Sequence, residues 1–105
     1  MFELKKSGEK FHFVLKAANG QVIISSQMYA SKASAMNGIE SIKTNCGNDS
    51  LYERKTAVNG KFHFNLKSTN GQIIGSSQMY ASESGVTTGI ESVKKNAPGA
   101  DVKEV

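Results

Sequence analysis

Lys10-Phe11-His12-Phe13-Val14-Leu15-Lys16, then Ala17-Ala18-Asn19-Gly20-Gln21, then Val22-Ile23-Ile24-Ser25-Ser26-Gln27: this stretch decides the fold. Phe11, Phe13 and Leu15 alternate with His12, Val14 and Lys16, the period-two pattern of a strand with one buried face. Asn-Gly is the strongest two-residue hairpin signal, because both central residues of a type I′ turn need positive φ. A turn at Asn19-Gly20 sets a register in which Leu15 faces Ile24, Phe13 faces Ser26 and Phe11 faces Met28. Val22 shares that core-facing side. The opposite face then carries His12 beside Gln27, Val14 beside Ser25 and Lys16 beside Ile23.

Working outward, the same stretch returns at an offset of 51. Lys61-Phe62-His63-Phe64, Asn70-Gly71-Gln72, Ser76-Ser77-Gln78-Met79-Tyr80-Ala81-Ser82 and Gly89-Ile90-Glu91-Ser92 repeat segments of the first half. Residues 10–46 against 61–97 give 23 identities in 37 ungapped pairs, so the chain is an internal duplication. Each unit is near the size at which a lone core is marginal, and two units sharing one core remove that difficulty.

Each repeat carries a short first strand (2–6 or 51–56), a turn, the alternating strand, the Asn-Gly hairpin and a third strand (22–27 or 73–78). A helix follows, with Ser31 and Ser82 as N-caps. Ala35, Ile39 and Ile42, like Val86, Ile90 and Val93, are spaced i, i+4, i+7 along one helical face. Lys43, Lys94 and Lys95 fall in the last turns, where cations suit the helix dipole. Gly38 and Gly89 beside the apolar stripe predict a close approach of helix to sheet. A final strand at 102–105 matches 51–54 at the same offset, so the segment around 51–56 serves both as the last strand of one repeat and the first of the next.

The chain has 105 residues, enough for one domain (1–105) built of repeat one (1–49) and repeat two (50–105). No apolar run approaches the ~20 residues of a membrane span, and no signal peptide is present, so a cytoplasmic location without membrane contact is expected. A single cysteine, Cys46, excludes an intrachain disulfide and a cysteine zinc site. Net charge is +4, with Lys supplying all but one of the 13 basic residues and no basic run longer than the pairs Lys5-Lys6, Arg54-Lys55 and Lys94-Lys95. That balance serves solubility and permits weak, salt-sensitive contact with nucleic acid.

Phe11-His12-Phe13-Val14-Leu15-Lys16, Asn19-Gly20-Gln21, and Tyr29-Ala30-Ser31-Lys32 leading into Gly38-Ile39-Glu40-Ser41-Ile42-Lys43 resemble the YegP-like family of small bacterial proteins of unknown function. The second copy keeps most of these residues, and the likeness spans nearly the whole chain. The resemblance implies the duplicated form of that family. It implies a β-β-β-α-β unit used twice, with last strands exchanged between repeats. It brings no established activity and no catalytic residues. Cys46 becoming Ala97, and Ile24 becoming Gly75, are departures between the copies.

The expected fold is α+β: two tandem β-β-β-α-β repeats related by a pseudo-two-fold, forming one antiparallel sheet of about seven strands covered on one face by two helices. The expected core is Phe11, Phe13, Leu15, Ile24, Ile39, Ile42, Phe62, Phe64, Leu66, Ile73, Ile90 and Val93. The open face is the expected binding surface. It presents His12, Lys16, Ser25, Gln27, His63, Lys67, Ser76 and Gln78, with Ile23 and Ile74 as apolar patches between them.

His12 and His63, if close together, would suit a metal or acid–base chemistry, making a His-based hydrolase a third reading after binding and nucleic-acid contact. No carboxylate stands at a ligand-like spacing, so no metal, cofactor or catalytic residue is assigned. Phe62 and Phe64 flank His63 as in an RNA-stacking strand, but the alternation turns them toward the covered face. A non-catalytic module binding a protein or a small anionic ligand is the expected function, in a monomer. Self-association through Val14, Ile23 and Ile74 is the remaining alternative.

Overall fold

A computed structural model describes residues 1–105. The elements are β1 (Phe2–Ser7), β2 (Lys10–Lys16), β3 (Val22–Ser26), α1 (Lys32–Asn45), β4 (Tyr52–Thr56), β5 (Phe62–Lys67), β6 (Ile73–Ser77), α2 (Glu83–Asn96) and β7 (Val102–Glu104). The strands form one seven-stranded sheet in the order β4-β5-β6-β3-β2-β1-β7. Ser25 stands opposite Ser76 where β3 meets β6, so the pseudo-two-fold passes between two residues that are each other's repeat equivalents. Every neighbouring pair is antiparallel except β1 and β7, which run parallel. That parallel edge departs from the all-antiparallel expectation. β7 reaches β1 from the far end of α2, and such a connection delivers a strand in either sense. The segment after α1 becomes β4 and pairs with β5, so one strand ends the first repeat and begins the second.

Helix starts follow the sequence. The Ser31 hydroxyl accepts from the Ser34 N–H at 3.1 Å, and the Ser82 hydroxyl from the Gly85 N–H at 3.2 Å. Gly38 is buried under the Tyr29 ring: a Cβ there would stand 2.5 Å from the Tyr29 hydroxyl and 3.1 Å from Phe13. Gly89 meets Tyr80 and Phe64 in the same way. Glycine is therefore kept in both helices by contact, against its poor helix propensity.

The hairpins differ from expectation, and the difference re-sorts side chains between faces. Neither Asn19 nor Asn70 has positive φ; only the glycines do, Gly20 at 83° and Gly71 at 86°. Ala17 N–H bonds the Gln21 carbonyl at 2.9 Å, and Gly20 N–H bonds the Ala17 carbonyl at 2.9 Å. This is a type I turn closed by a left-handed glycine, a three-residue loop rather than a type I′ turn. Pairing slips by one, and a bulge at Ile23 restores it: Lys16 stands opposite Val22, while Leu15 stands opposite Ile24. The second hairpin does the same, with Lys67 opposite Ile73 and Leu66 opposite Gly75. A bulge puts two successive residues on one side of the sheet. Ile23 and Ile74 therefore turn into the core, each 4% exposed, and are not patches on the open face. Val22 and Ile73 move to the open face beside Lys16 and Lys67, and Ile73 is 42% exposed rather than a core residue.

A second slip follows. The Ser26 hydroxyl accepts from the Phe13 N–H at 2.9 Å and donates to the Gln27 carbonyl at 2.8 Å. The side chain takes the place of a backbone partner, and pairing resumes with Phe11 opposite Tyr29, not Met28. Ser77 does the same for Phe64, and Phe62 pairs with Tyr80. Met28 and Met79 are left exposed.

Phe2, Leu4, Phe13, Leu15, Ile24, Ile39, Ile42, Phe64, Leu66, Val86 and Val93 form the fully enclosed core, joined by Cys46 and Ala97. Phe11 and Phe62 pack at its margin rather than within it. The change from Ile24 to Gly75 has a packing cause. A Cβ on Gly75 would collide with the Ile24 side chain across the two-fold. The axis has room for one isoleucine, not two.

Candidate functional site

On the open face, Glu53, Asn65, Ser76, Ser25, Val14 and Glu3 lie directly opposite one another across six strands. The second-repeat half of this row is a bonded chain. Ser76 Oγ donates to Asn65 Oδ1 at 2.6 Å, and Asn65 Nδ2 donates to Glu53 Oε1 at 3.3 Å. Lys67 pairs with Glu53 at 2.9 Å and Lys16 with Glu3 at 3.1 Å. Lys67, then Asn65, holds the Glu53 carboxyl below the usual carboxylate range. In the first repeat Val14 stands where Asn65 does, and the chain of bonds ends at Ser76. Lys16, Lys67 and Ser76, expected to meet a ligand here, are therefore already bonded to neighbouring side chains.

His12 stands opposite Lys5 and His63 opposite Lys55, on the same face. β2 and β5 are separated by β3 and β6. Three strand steps put the two rings about 14 Å apart laterally, and they lie on opposite sides of the Ser25–Ser76 axis. They cannot share a metal ion or a proton. Each ring's Nδ1 is closed off from solvent and bonded to nothing, so no carboxylate orients either imidazole.

Gln27 and Gln78 leave the open face altogether. Because Ser26 and Ser77 end the ladder, the glutamines follow the chain round to the helix side, where they line two clefts. One cleft, of about 190 Å³, is lined by Asn19, Gln21 and Ile23 from the first hairpin and by Gln78, Tyr80, Thr88, Gly89 and Ser92 from the second repeat. The other, of about 260 Å³, is lined by Asn70, Gln72 and Ile74 from the second hairpin and by Gln27, Tyr29, Asn37, Gly38 and Ser41 from the first repeat. These are the same site formed twice, each from the hairpin of one repeat and the helix of the other. None of the surface cavities is lined by His12, Lys16, Ser25, His63, Lys67 or Ser76.

No charged side chain lines either cleft. The walls offer amides and hydroxyls around an aromatic ring, which lies against the buried glycine of the helix. Burial pushes the Tyr29 hydroxyl up, and Gln27 beside it pulls part of the way back, so the phenol stays protonated as donor and acceptor. The first cleft opens onto a shallower basin edged by Glu91, Lys95 and Asn96. Sequence reasoning missed Asn19, Gln21, Ser41 and their equivalents as site residues. Part of their signal was present: Asn-Gly-Gln, Ser-Ser-Gln-Met-Tyr and Gly-Ile-Glu-Ser are among the segments retained in both copies, as is Lys-Phe-His-Phe on the strand of the open face. Cys46 is buried at 3% exposure with its thiol pushed up by burial, which suits a packing residue rather than a nucleophile. No helix is long and apolar enough to cross a membrane.

Comparison with known proteins agrees with this architecture. The family model described as a domain of unknown function, DUF1508, matches twice, at residues 7–53 and 57–104. The UPF0339 protein YegP of Shigella flexneri is 56% identical over 104 residues, covering 98% of this chain and 94% of that protein. The solution structure of YegP from E. coli, described as a protein of unknown function, superposes with a TM-score of 0.93 at 55% identity, covering 98% of this chain and 90% of that one. A UPF0339 protein structure from Shewanella oneidensis gives 0.92 at 48% identity, covering 98% and 88%. Two family domains in tandem, a full-length match and a shared fold place this chain in the YegP (UPF0339) family, in its duplicated form.

Proposed function

We propose that this chain is a non-catalytic binding module that holds a small neutral molecule, rich in hydroxyl or amide groups, in each of its two clefts. The observation that carries this reading is the uncharged, hydrogen-bonding lining that the two repeats form twice over, each from both halves of the chain. Planar amides and hydroxyls beside an aromatic ring fix the orientation of a polar ligand without ion pairing. The absence of a second titratable group beside either tyrosine argues for binding over catalysis. A small anion on the open face has weaker support, because Lys16 and Lys67 are already paired with Glu3 and Glu53. Lys32, Lys55 and Lys94 are likewise within ion-pair distance of carboxylates, which weakens the case for a nucleic-acid surface.

The test is an amide NMR titration of the labelled protein with neutral sugars, inorganic phosphate and single-stranded RNA, at low and high salt. A neutral sugar is expected to shift Gln21 with Gln78, and Gln72 with Gln27, with little dependence on salt. Tyr29→Phe should weaken one cleft and leave the other unchanged. Shifts confined to lysines and lost at high salt would replace this reading with nucleic-acid contact. No shift in either cleft would remove it.

A further inference from the structure

Each cleft has a helix wall, and the two walls carry the same pair of side chains. Ser41 and Asn45 lie one turn apart at the end of α1, Ser92 and Asn96 at the end of α2. Asn45 Nδ2 donates to the Ser41 carbonyl at 2.9 Å and to Ser41 Oγ at 3.3 Å. Asn96 Nδ2 donates to the Ser92 carbonyl at 2.8 Å and to Ser92 Oγ at 3.1 Å. Both members of the pair are identical in the two repeats, although Thr44 and Lys95 between them differ.

We infer that Asn45 and Asn96 are positioning residues that fix Ser41 and Ser92 as hydrogen-bond donors, so that each cleft takes a molecule with a carbonyl oxygen, as in an N-acyl group, set against its helix wall. The inference rests on the reading of the clefts as ligand sites, and narrows their ligand from any neutral polar molecule to an acyl-bearing one.

The backbone fixes which way each amide points. A carbonyl oxygen accepts and cannot donate, so the amide atom facing it is the NH2 group and not the amide oxygen. The same NH2 group faces the serine oxygen, which therefore accepts, and the serine proton is left to point elsewhere. A helical hydroxyl with no other partner can bond back to the carbonyl four residues earlier. Thr88 does so, its Oγ1 donating to the Ser84 carbonyl at 3.1 Å. Ser41 and Ser92 make no such bond, and both line the clefts. Of the two hydroxyls on the α2 wall, Thr88 is spent on its own helix and Ser92 is free to donate.

A free donor on the wall favours one kind of ligand group. A ligand hydroxyl that accepts from the serine brings a proton needing an acceptor of its own, and no carboxylate lines either cleft to take it. An acyl carbonyl brings no such proton, so nothing is left unpaired where water is displaced.

The test is a double-mutant cycle read by amide NMR on the full labelled chain, with N-acetylglucosamine and glucose as probes. Gln78 and Gly89 report on the cleft walled by Ser92, Gln27 and Gly38 on the cleft walled by Ser41. N-acetylglucosamine is expected to bind about fivefold more tightly than glucose, the discrimination that one neutral hydrogen bond supplies. Ser92→Ala and Asn96→Leu should each remove that preference in the Ser92 cleft, and the double variant should lose no more than either alone. The Ser41 cleft, left unchanged, reports that the fold is intact, and Asn45→Leu should exchange the roles of the two clefts. Additive losses, or a preference that survives Asn96→Leu, would overturn the positioning role. Equal binding of the two sugars to the unsubstituted chain would overturn the acyl class while leaving the clefts as binding sites. Shifts from neither sugar would remove both.

Discussion

Ile23 and Val22 are neighbours of similar chemistry with opposite fates. Alternation alone places Val22 inside and Ile23 outside; the bulge reverses them. The same holds for Ile73 and Ile74. Truncating a buried isoleucine removes its transfer energy and leaves a cavity. Ile74→Ala is therefore expected to cost about 2–4 kcal/mol in urea denaturation. Ile73→Ala, on the open face, should change stability by no more than about 0.5 kcal/mol. Equal effects from the two would show that the bulge is misassigned.

At the scale of elements, the Ser-Ser-Gln-Met-Tyr corner is explained by hydrogen bonding. Ser26 and Ser77 each satisfy a strand N–H that the departing chain abandons. Their retention in both repeats thus has a structural cause, and Gln27, Tyr29 and their equivalents are carried into the clefts as a consequence. Ser26→Ala leaves the Phe13 N–H without a partner in a half-buried setting. A loss of about 1–3 kcal/mol is expected, with faster amide exchange at Phe13 as the local readout. Unchanged exchange there would assign the serine another role. The helices need no such correction, because N-caps and apolar stripes are short-range signals that tertiary contacts reinforced.

Across the whole molecule, duplication is incomplete for a physical reason. Two-fold symmetry asks equivalent residues on the axis to share one space, and the Ile24–Gly75 pair resolves that conflict by deleting one side chain. Gly75→Ile should destabilise by about 1–3 kcal/mol through overpacking. Adding Ile24→Gly to it should recover part of the loss, since the pair would then have exchanged sides. A purely additive penalty would place the two residues in separate environments.

The duplication, the strand–strand–helix order, both N-caps and the close glycine contacts were legible in the residues themselves. Each depends on neighbours within a few positions or on direct self-comparison of the chain. Face assignment near the turns was not, because a one-residue loop difference moves every side chain beyond it and no local signal records where a bulge repays the slip. The clefts were hidden for the same reason at longer range. Asn19 and Ser92, or Asn70 and Ser41, belong to different repeats, and only the pairing of β3 with β6 brings them to one wall. The bare edge of β4 likewise exists only once seven strands are laid side by side and one repeat is found to lack the strand that covers the other.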